Sequence, residues 1–96
     1  MAARVLVYST DYCPYCTRAK QLLSKKGVAY EEVRVDDRPD LRDWLVETTR
    51  QRTVPQVFVN GRPLGGFTDI AALDQKGHLD KLLAADPAAG EPAVRT

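Results

Sequence analysis

Two cysteines three residues apart, in Cys13-Pro14-Tyr15-Cys16, are the groups in this chain best suited to covalent chemistry. They fall where a strand-like run gives way to a helical pattern. The first turn of a helix presents unpaired N–H groups and the positive end of the helix dipole, so it is a place for a thiolate. An ordinary cysteine, with a pKa of about 8.5, is only a few per cent ionised at neutral pH, whereas helix N-termini and Cys-X-X-Cys settings lower that value to about 3.5 to 7.5. Cys13 is therefore the expected nucleophile. Cys16 lies one turn further on and on the same side, so it is the expected resolving thiol, able to attack a mixed disulfide on Cys13 and release the bound partner.

Other chemistries for the same residues need more than the chain offers. Buried structural thiols pack as small hydrophobes, but a Cys-X-X-Cys within a βαβ pattern favours redox use. A closed zinc site needs four ligands, against one Cys pair and the remote His78, so no metal is expected. A hydrolase needs a histidine base beside its nucleophile, and nothing in the sequence brings His78 there. His78 reads as an exposed helix start.

The elements that must position the cysteines follow from composition and period. Arg4 to Ser9 is a β-branched and aromatic run of strand length, closed by the turn residues Thr10 and Asp11. From Pro14, suited to a first helical turn, Ala19, Leu22 and Leu23 recur at helical spacing until Gly27. Val28 to Val35 returns to strand composition, completing a βαβ unit. Asp40 is the expected cap of a second helix carrying Leu41, Trp44, Leu45 and Thr48 on one face and ending near Gln51. Val54 to Val59, Asn60-Gly61 and Arg62-Pro63-Leu64 read as a hairpin ended by Gly65-Gly66. A last helical stretch starts at Thr68 or Asp69 and is interrupted at Gly77. The class is α/β, with a four-stranded mixed sheet flanked by helices in the order β-α-β-α-β-β-α and a short extra helix at the end.

Length and charge exclude several functions. At 96 residues the chain holds one domain, expected over 1–85, with 86–96 a loose Ala/Pro/Gly tail. Fourteen Lys and Arg against 13 Asp and Glu are interspersed, for a net charge of +1. No basic face marks a nucleic-acid partner. No apolar run approaches the roughly 20 residues that span a bilayer, and none near the start forms a signal-peptide core, so a cytoplasmic location is expected. In a reducing compartment, paired thiols suggest chemistry rather than a structural staple.

Cys13-Pro14-Tyr15-Cys16, Thr53-Val54-Pro55 and Gly65-Gly66-Phe67-Thr68-Asp69 together resemble the three signature segments of the dithiol glutaredoxins, the class that includes bacterial glutaredoxin 3. The likeness extends in element order from about Arg4 to Leu83. It implies a thioredoxin-like fold with Pro55 in cis facing the cysteines, and a glutathione-dependent thiol-disulfide oxidoreductase. It implies that the Val54 backbone pairs with the cysteinyl part of glutathione, that Gly66, Thr68 and Asp69 receive the γ-glutamyl group, that Tyr15 lies beside the sulfur, and that Arg42 pairs with the glycyl carboxylate. Thr53 belongs to the same binding segment. On residue type alone, Gly65-Gly66 is a flexible strand end, Asp69 a helix cap, Pro55 an ordinary trans proline and Arg42 a solvated surface charge.

Thr10 stands where the family often has a lysine three residues before the first cysteine, which removes one cation from the thiolate and one contact from the glycyl carboxylate. The expected partners are glutathione as co-substrate, with no tightly bound cofactor, and glutathionylated or disulfide-containing proteins, a ribonucleotide reductase among them. The chain is expected to be a monomer. A thioredoxin-like or mycothiol-dependent reductant would use the same cysteines with another electron donor. A two-chain iron–sulfur module is disfavoured by Pro14, and a purely structural interaction protein would not need the thiols.

Overall fold

Val5-Leu6-Val7-Tyr8 contains no polar residue in alternation, and a strand of that kind needs cover on both faces. In the computed structural model, which describes residues 3–86 and 94–96, this run lies in β1 (Val5–Ser9), buried along its whole length. It pairs in parallel with β2 (Glu31–Arg34) and antiparallel with β3 (Gln56–Val59), and β3 continues through the Asn60-Gly61 turn into β4 (Arg62–Gly65). The sheet order is β2-β1-β3-β4.

Side chains alternate across a strand, so β1 feeds two cores. Val5 and Val7 point to one face, where they meet Ala19 and Leu23 of α1 (Pro14–Lys25), Ile70 of α3 (Phe67–Gln75), and Leu79 and Leu83 of α4 (His78–Ala84). Leu6 and Tyr8 point to the other, where Leu41 and Leu45 of α2 (Pro39–Thr49) close over them with Phe58 and Val33. Full burial of one such aliphatic side chain stabilises the fold by roughly 1.5–3 kcal/mol. Both outer strands are short and polar at the rim. In β2 only Val33 is buried between Glu32 and Arg34, and β4 carries Arg62 and Pro63.

The observed bounds differ from the sequence reading in physically simple ways. β2 starts at Glu31, because Val28 and Tyr30 pack against the α1 side of the core while the chain crosses to the sheet edge. Asp40 sits in the first turn of α2 rather than capping it; Arg38 is the N-cap and Pro39 the first helical residue. α2 ends at Thr49, and Arg50 follows in the left-handed region, φ 61°. α3 starts at Phe67 with Gly66 as N-cap, so Thr68 and Asp69 are its second and third residues. Gly77, at φ 76°, separates α3 from α4 as expected, and His78 is the exposed first residue of α4.

Residues 94–96 lie on the α2 side. Val94 packs against that core, the Tyr8 hydroxyl donates to the Arg95 carbonyl (2.6 Å), and Arg38 donates to the Thr96 carbonyl (2.6 Å). Burial, opposed by Arg4 and aided by Glu31, pushes Tyr8 up to about 12, so its hydroxyl remains a donor. The loose tail expected over 86–96 otherwise falls on 87–93, outside the described residues.

Candidate active site

β1 delivers the chain to the reactive pair through Thr10, Asp11 and Tyr12, and this loop is tied down from the β2 side. The Asp11 N–H donates to Asp36 Oδ2 (2.6 Å), and Arg34 Nη2 donates to Asp11 Oδ1 (2.7 Å). The Asp11 amide, helped by Asp36's own N–H and by Arg34 against partial desolvation, holds the Asp36 carboxyl below the usual carboxylate range. One strand position earlier, the Ser9 hydroxyl donates to Glu32 (2.6 Å), which also meets Lys20 (2.9 Å). The Ser9 hydrogen bond is the main reason Glu32 is lowered, with burial opposing and Lys20 assisting.

Both carboxylates are stronger acids folded than unfolded, so their stabilisation is present above their ordinary values, roughly pH 4 to 4.5, and is lost as pH falls through the lowered folded values. Acid unfolding followed by circular dichroism should therefore show a Glu32→Gln, Asp36→Asn double variant with a shallower pH dependence below about pH 5 than the parent. An unchanged acid limb would mean these contacts add nothing.

Cys13 is the N-cap of α1 in extended backbone (φ −136°, ψ 101°), and its Sγ accepts the Cys16 N–H at 3.1 Å. An amide aimed at the sulfur from a helix N-terminus favours an anion there. Cys13 and Cys16 form a disulfide with Cα atoms 5.1 Å apart. Cys16 is buried, 1% exposed, while Cys13 is half-buried, so an incoming thiol or disulfide reaches Cys13 first. The Val54 carbonyl oxygen lies 3.8 Å from Cys13 Sγ, and the Val54–Pro55 peptide is cis, as the family likeness implied.

A groove of about 430 Å³ opens beside the disulfide, and it gathers Tyr15, Thr53, Val54, Pro55, Gly66, Thr68 and Asp69 from three separate segments. Arg42 lies on the exposed side of α2, outside this lining. Gln51 and Phe67 complete the wall; Phe67 falls within the third signature segment without a role assigned to it from sequence, and Gln51 carries no motif signal. Gln56 also escaped the sequence reading. Fully buried behind the groove, it donates through Nε2 to Gln51 Oε1 and the Thr53 carbonyl, both at 2.9 Å, and so fixes the approach to Val54. A glutamine in a strand gives no hint of that from sequence.

The glycines meet a steric demand. Gly65 has φ +106°, and a Cβ there would run into the Asp69 carboxylate. A Cβ on Gly66 would sit 3.3 Å from the Pro55 carbonyl oxygen. The turn from β4 into α3 thus presses against the cis-proline loop, and Asp69 Oδ2 holds it by accepting the Gly66 N–H at 2.9 Å. An accessible sulfur aligned with a backbone edge and a narrow groove is equipped for thiol-disulfide exchange with a small peptide-like thiol.

The family model described as glutaredoxin matches residues 5–64, more than half of the chain. The chain belongs to the glutaredoxin family. A glutaredoxin of Pseudomonas aeruginosa is 46% identical over 81 residues, covering 84% of this chain and 96% of the relative. Glutaredoxin 3 of Escherichia coli is 43% identical over 81 residues, covering 84% and 98%. The crystal structure of a buckwheat glutaredoxin–glutathione complex superposes with a TM-score of 0.79 at 33% identity, covering 84% of this chain and 76% of that one. The fold is the thioredoxin-like fold of glutaredoxins, with the element order expected from sequence. With both cysteines of its Cys-X-X-Cys pair present, this glutaredoxin is a glutathione-dependent thiol-disulfide oxidoreductase. No helix among the described residues is long and apolar enough to cross a membrane, and no group of three or more His, Cys, Asp or Glu among them could hold a metal ion.

Proposed function

We propose that the groove between Tyr15, the Thr53-Val54-Pro55 loop and the Gly66–Asp69 turn holds glutathione with its sulfur at Cys13. The observation that carries this reading is the convergence of those three segments on one groove whose Val54 carbonyl lies 3.8 Å from Cys13 Sγ. The Val54 backbone pairs in strand fashion with the cysteinyl residue. Gly66, Thr68 and Asp69 at the start of α3 receive the charged γ-glutamyl end. The glycyl carboxylate lies toward Gln51, with Arg42 reaching in from α2 in place of the cation that Thr10 does not supply. The relative crystallised as a glutathione complex supports this assignment.

The cycle follows from the two thiols. Cys13 thiolate attacks the glutathionyl sulfur of a mixed disulfide, a Cys13–glutathione disulfide forms, and the protein leaves as a thiolate that takes a proton from water. A second glutathione thiolate then attacks that adduct, releasing glutathione disulfide and restoring Cys13. Cys16 offers the internal alternative, which yields the Cys13–Cys16 disulfide. Protein disulfides, such as that of a ribonucleotide reductase, are reduced through the same pair. The catalytic unit spans 1–85 with 86–96 appended, works as a monomer without a resident cofactor, and acts in the reducing cytoplasm.

A coupled assay tests the electron donor. Turnover should be supported by glutathione with glutathione reductase and not by thioredoxin reductase or mycothiol; equal turnover with thioredoxin reductase would overturn the assignment. Brown colour on anaerobic purification with glutathione would instead favour cluster binding.

A further inference from the structure

Among the described residues, two large apolar side chains are exposed, and they bracket the reactive sulfur: Tyr12 at 96% and Tyr15 at 52%. They face different ways. Tyr15 lines the groove on the β3–β4 side, with the Arg18 guanidinium 5.3 Å from its ring centroid. Tyr12 borders a second cleft of about 330 Å³ on the β2 side, where Thr10, Thr17, Lys20 and Arg34 surround the other flank of Cys13. Since β1 lies between β2 and β3, the two clefts occupy opposite sides of the strand that leads to the nucleophile.

Three observations set Tyr12 apart from an ordinary surface tyrosine. Its φ is +44°, the left-handed region that a bulky residue rarely adopts and that costs on the order of 1 kcal/mol. No hydrogen bond, ring contact or ion pair holds its side chain among the described residues, so the Tyr12 side chain itself does not offset that cost there. The loop beneath it is nonetheless clamped, through Asp11 to Asp36 and Arg34. Backbone strain held in place by its surroundings, next to a reacting group, is a signature of function.

We propose that Tyr12 and the cleft beneath it form the docking surface for the polypeptide half of the substrate, contacting an apolar or aromatic side chain next to the substrate's own cysteine. The inference rests on glutathione occupying the Val54–Asp69 groove. Once that groove is filled, a polypeptide bonded to the same disulfide cannot share it, and the rim left open beside Cys13 is the one that carries Tyr12. The chemistry of the cleft selects the partner. Its cations are already paired, Arg34 with Asp11 and Asp36 and Lys20 with Glu32, so an acidic segment finds no free charge. What remains available is the Tyr12 ring.

The test compares three substrates: a glutathionylated peptide with Phe beside its cysteine, the same peptide with Gly there, and the mixed disulfide of glutathione and free cysteine. Tyr12→Asn removes the ring with a residue that tolerates positive φ, and Tyr12→Phe keeps it. Tyr12→Asn should lower kcat/KM for the Phe peptide about 2- to 12-fold, the worth of one aromatic contact, mainly through KM. It should leave the Gly peptide and the small disulfide unchanged, while Tyr12→Phe behaves as the parent on all three. Equal losses on every substrate, or no loss on any, would overturn the docking role. So would loss of a dimer in sedimentation of Tyr12→Asn, which would assign the ring to contact between copies. If the parent enzyme fails on the small disulfide with glutathione, the groove assignment itself is what has failed.

Discussion

Cys13→Ser is expected to abolish turnover of every disulfide substrate, whereas Cys16→Ser should keep removing glutathione from mixed disulfides and lose only the reduction of protein disulfides. Cys13 is the sulfur that solvent reaches, that lies 3.8 Å from the Val54 carbonyl of the groove wall and that accepts the Cys16 N–H at 3.1 Å, while Cys16 is buried. A serine hydroxyl in the same place is not ionised near neutral pH, so the loss should be at least about a thousandfold, in keeping with removal of a covalent nucleophile. Equal activity in the two variants would contradict the division of roles. Alkylation gives a second readout. In Cys16→Ser, iodoacetamide should modify Cys13 rapidly at a pH where a cysteine in an unstructured peptide is mostly protonated. Matching rates would mean that the helix terminus does not hold the anion.

Gly65→Ala is the second large expected effect, although position 65 bears no chemistry. Its φ of +106° is closed to an L side chain, and the new methyl would strike the Asp69 carboxylate. Two losses combine: the conformational cost, on the order of 1 kcal/mol or more, and the hydrogen bond that the Gly66 N–H donates to Asp69 Oδ2, worth about 1 kcal/mol as a cap. If both are relieved by letting the start of α3 swing away, the groove wall opens. KM for glutathione should then rise by roughly tenfold or more, since each 1.4 kcal/mol is a factor of ten in affinity. The rate of Cys13 alkylation should be unaffected, because the α1 terminus is untouched. A KM within error of the parent would show that the turn does not shape the binding wall. Asp69→Ala, which removes the obstructing carboxylate, should partly restore folding of Gly65→Ala without restoring affinity.

Much of this was legible in the chain because local chemistry and global fold agree. Val5-Leu6-Val7-Tyr8 could only be a strand covered on both faces, Pro14 and Gly27 bracket α1, Asn60-Gly61 dictates a two-residue turn, and the Cys-X-X-Cys falls at a helix start where a thiolate is favoured. Those signals sufficed for element order and for the reactive pair. The groove was legible only through the likeness of three motifs, since nothing local says that residues 15, 54 and 68 meet. Asp69 shows the limit well. Residue type suggested the cap itself, whereas it reaches back as the third helical residue to hold Gly66. The support from Gln56 was invisible, because a buried amide bonding to a neighbouring loop leaves no period or motif. The docking of Val94 and Arg95 on Tyr8 was hidden too, as a contact 87 residues apart in the chain leaves no trace in composition.

The outer strands bear on how the protein behaves when abundant. A sheet edge with free N–H and C=O groups is a template for pairing with another molecule. Here one edge alternates a single inward valine with outward charges, and the other has a proline that cannot donate. Both borders therefore resist strand addition, so the enzyme should stay dispersed at millimolar concentrations instead of growing into fibrils, even though its central strand is among the most apolar segments it owns.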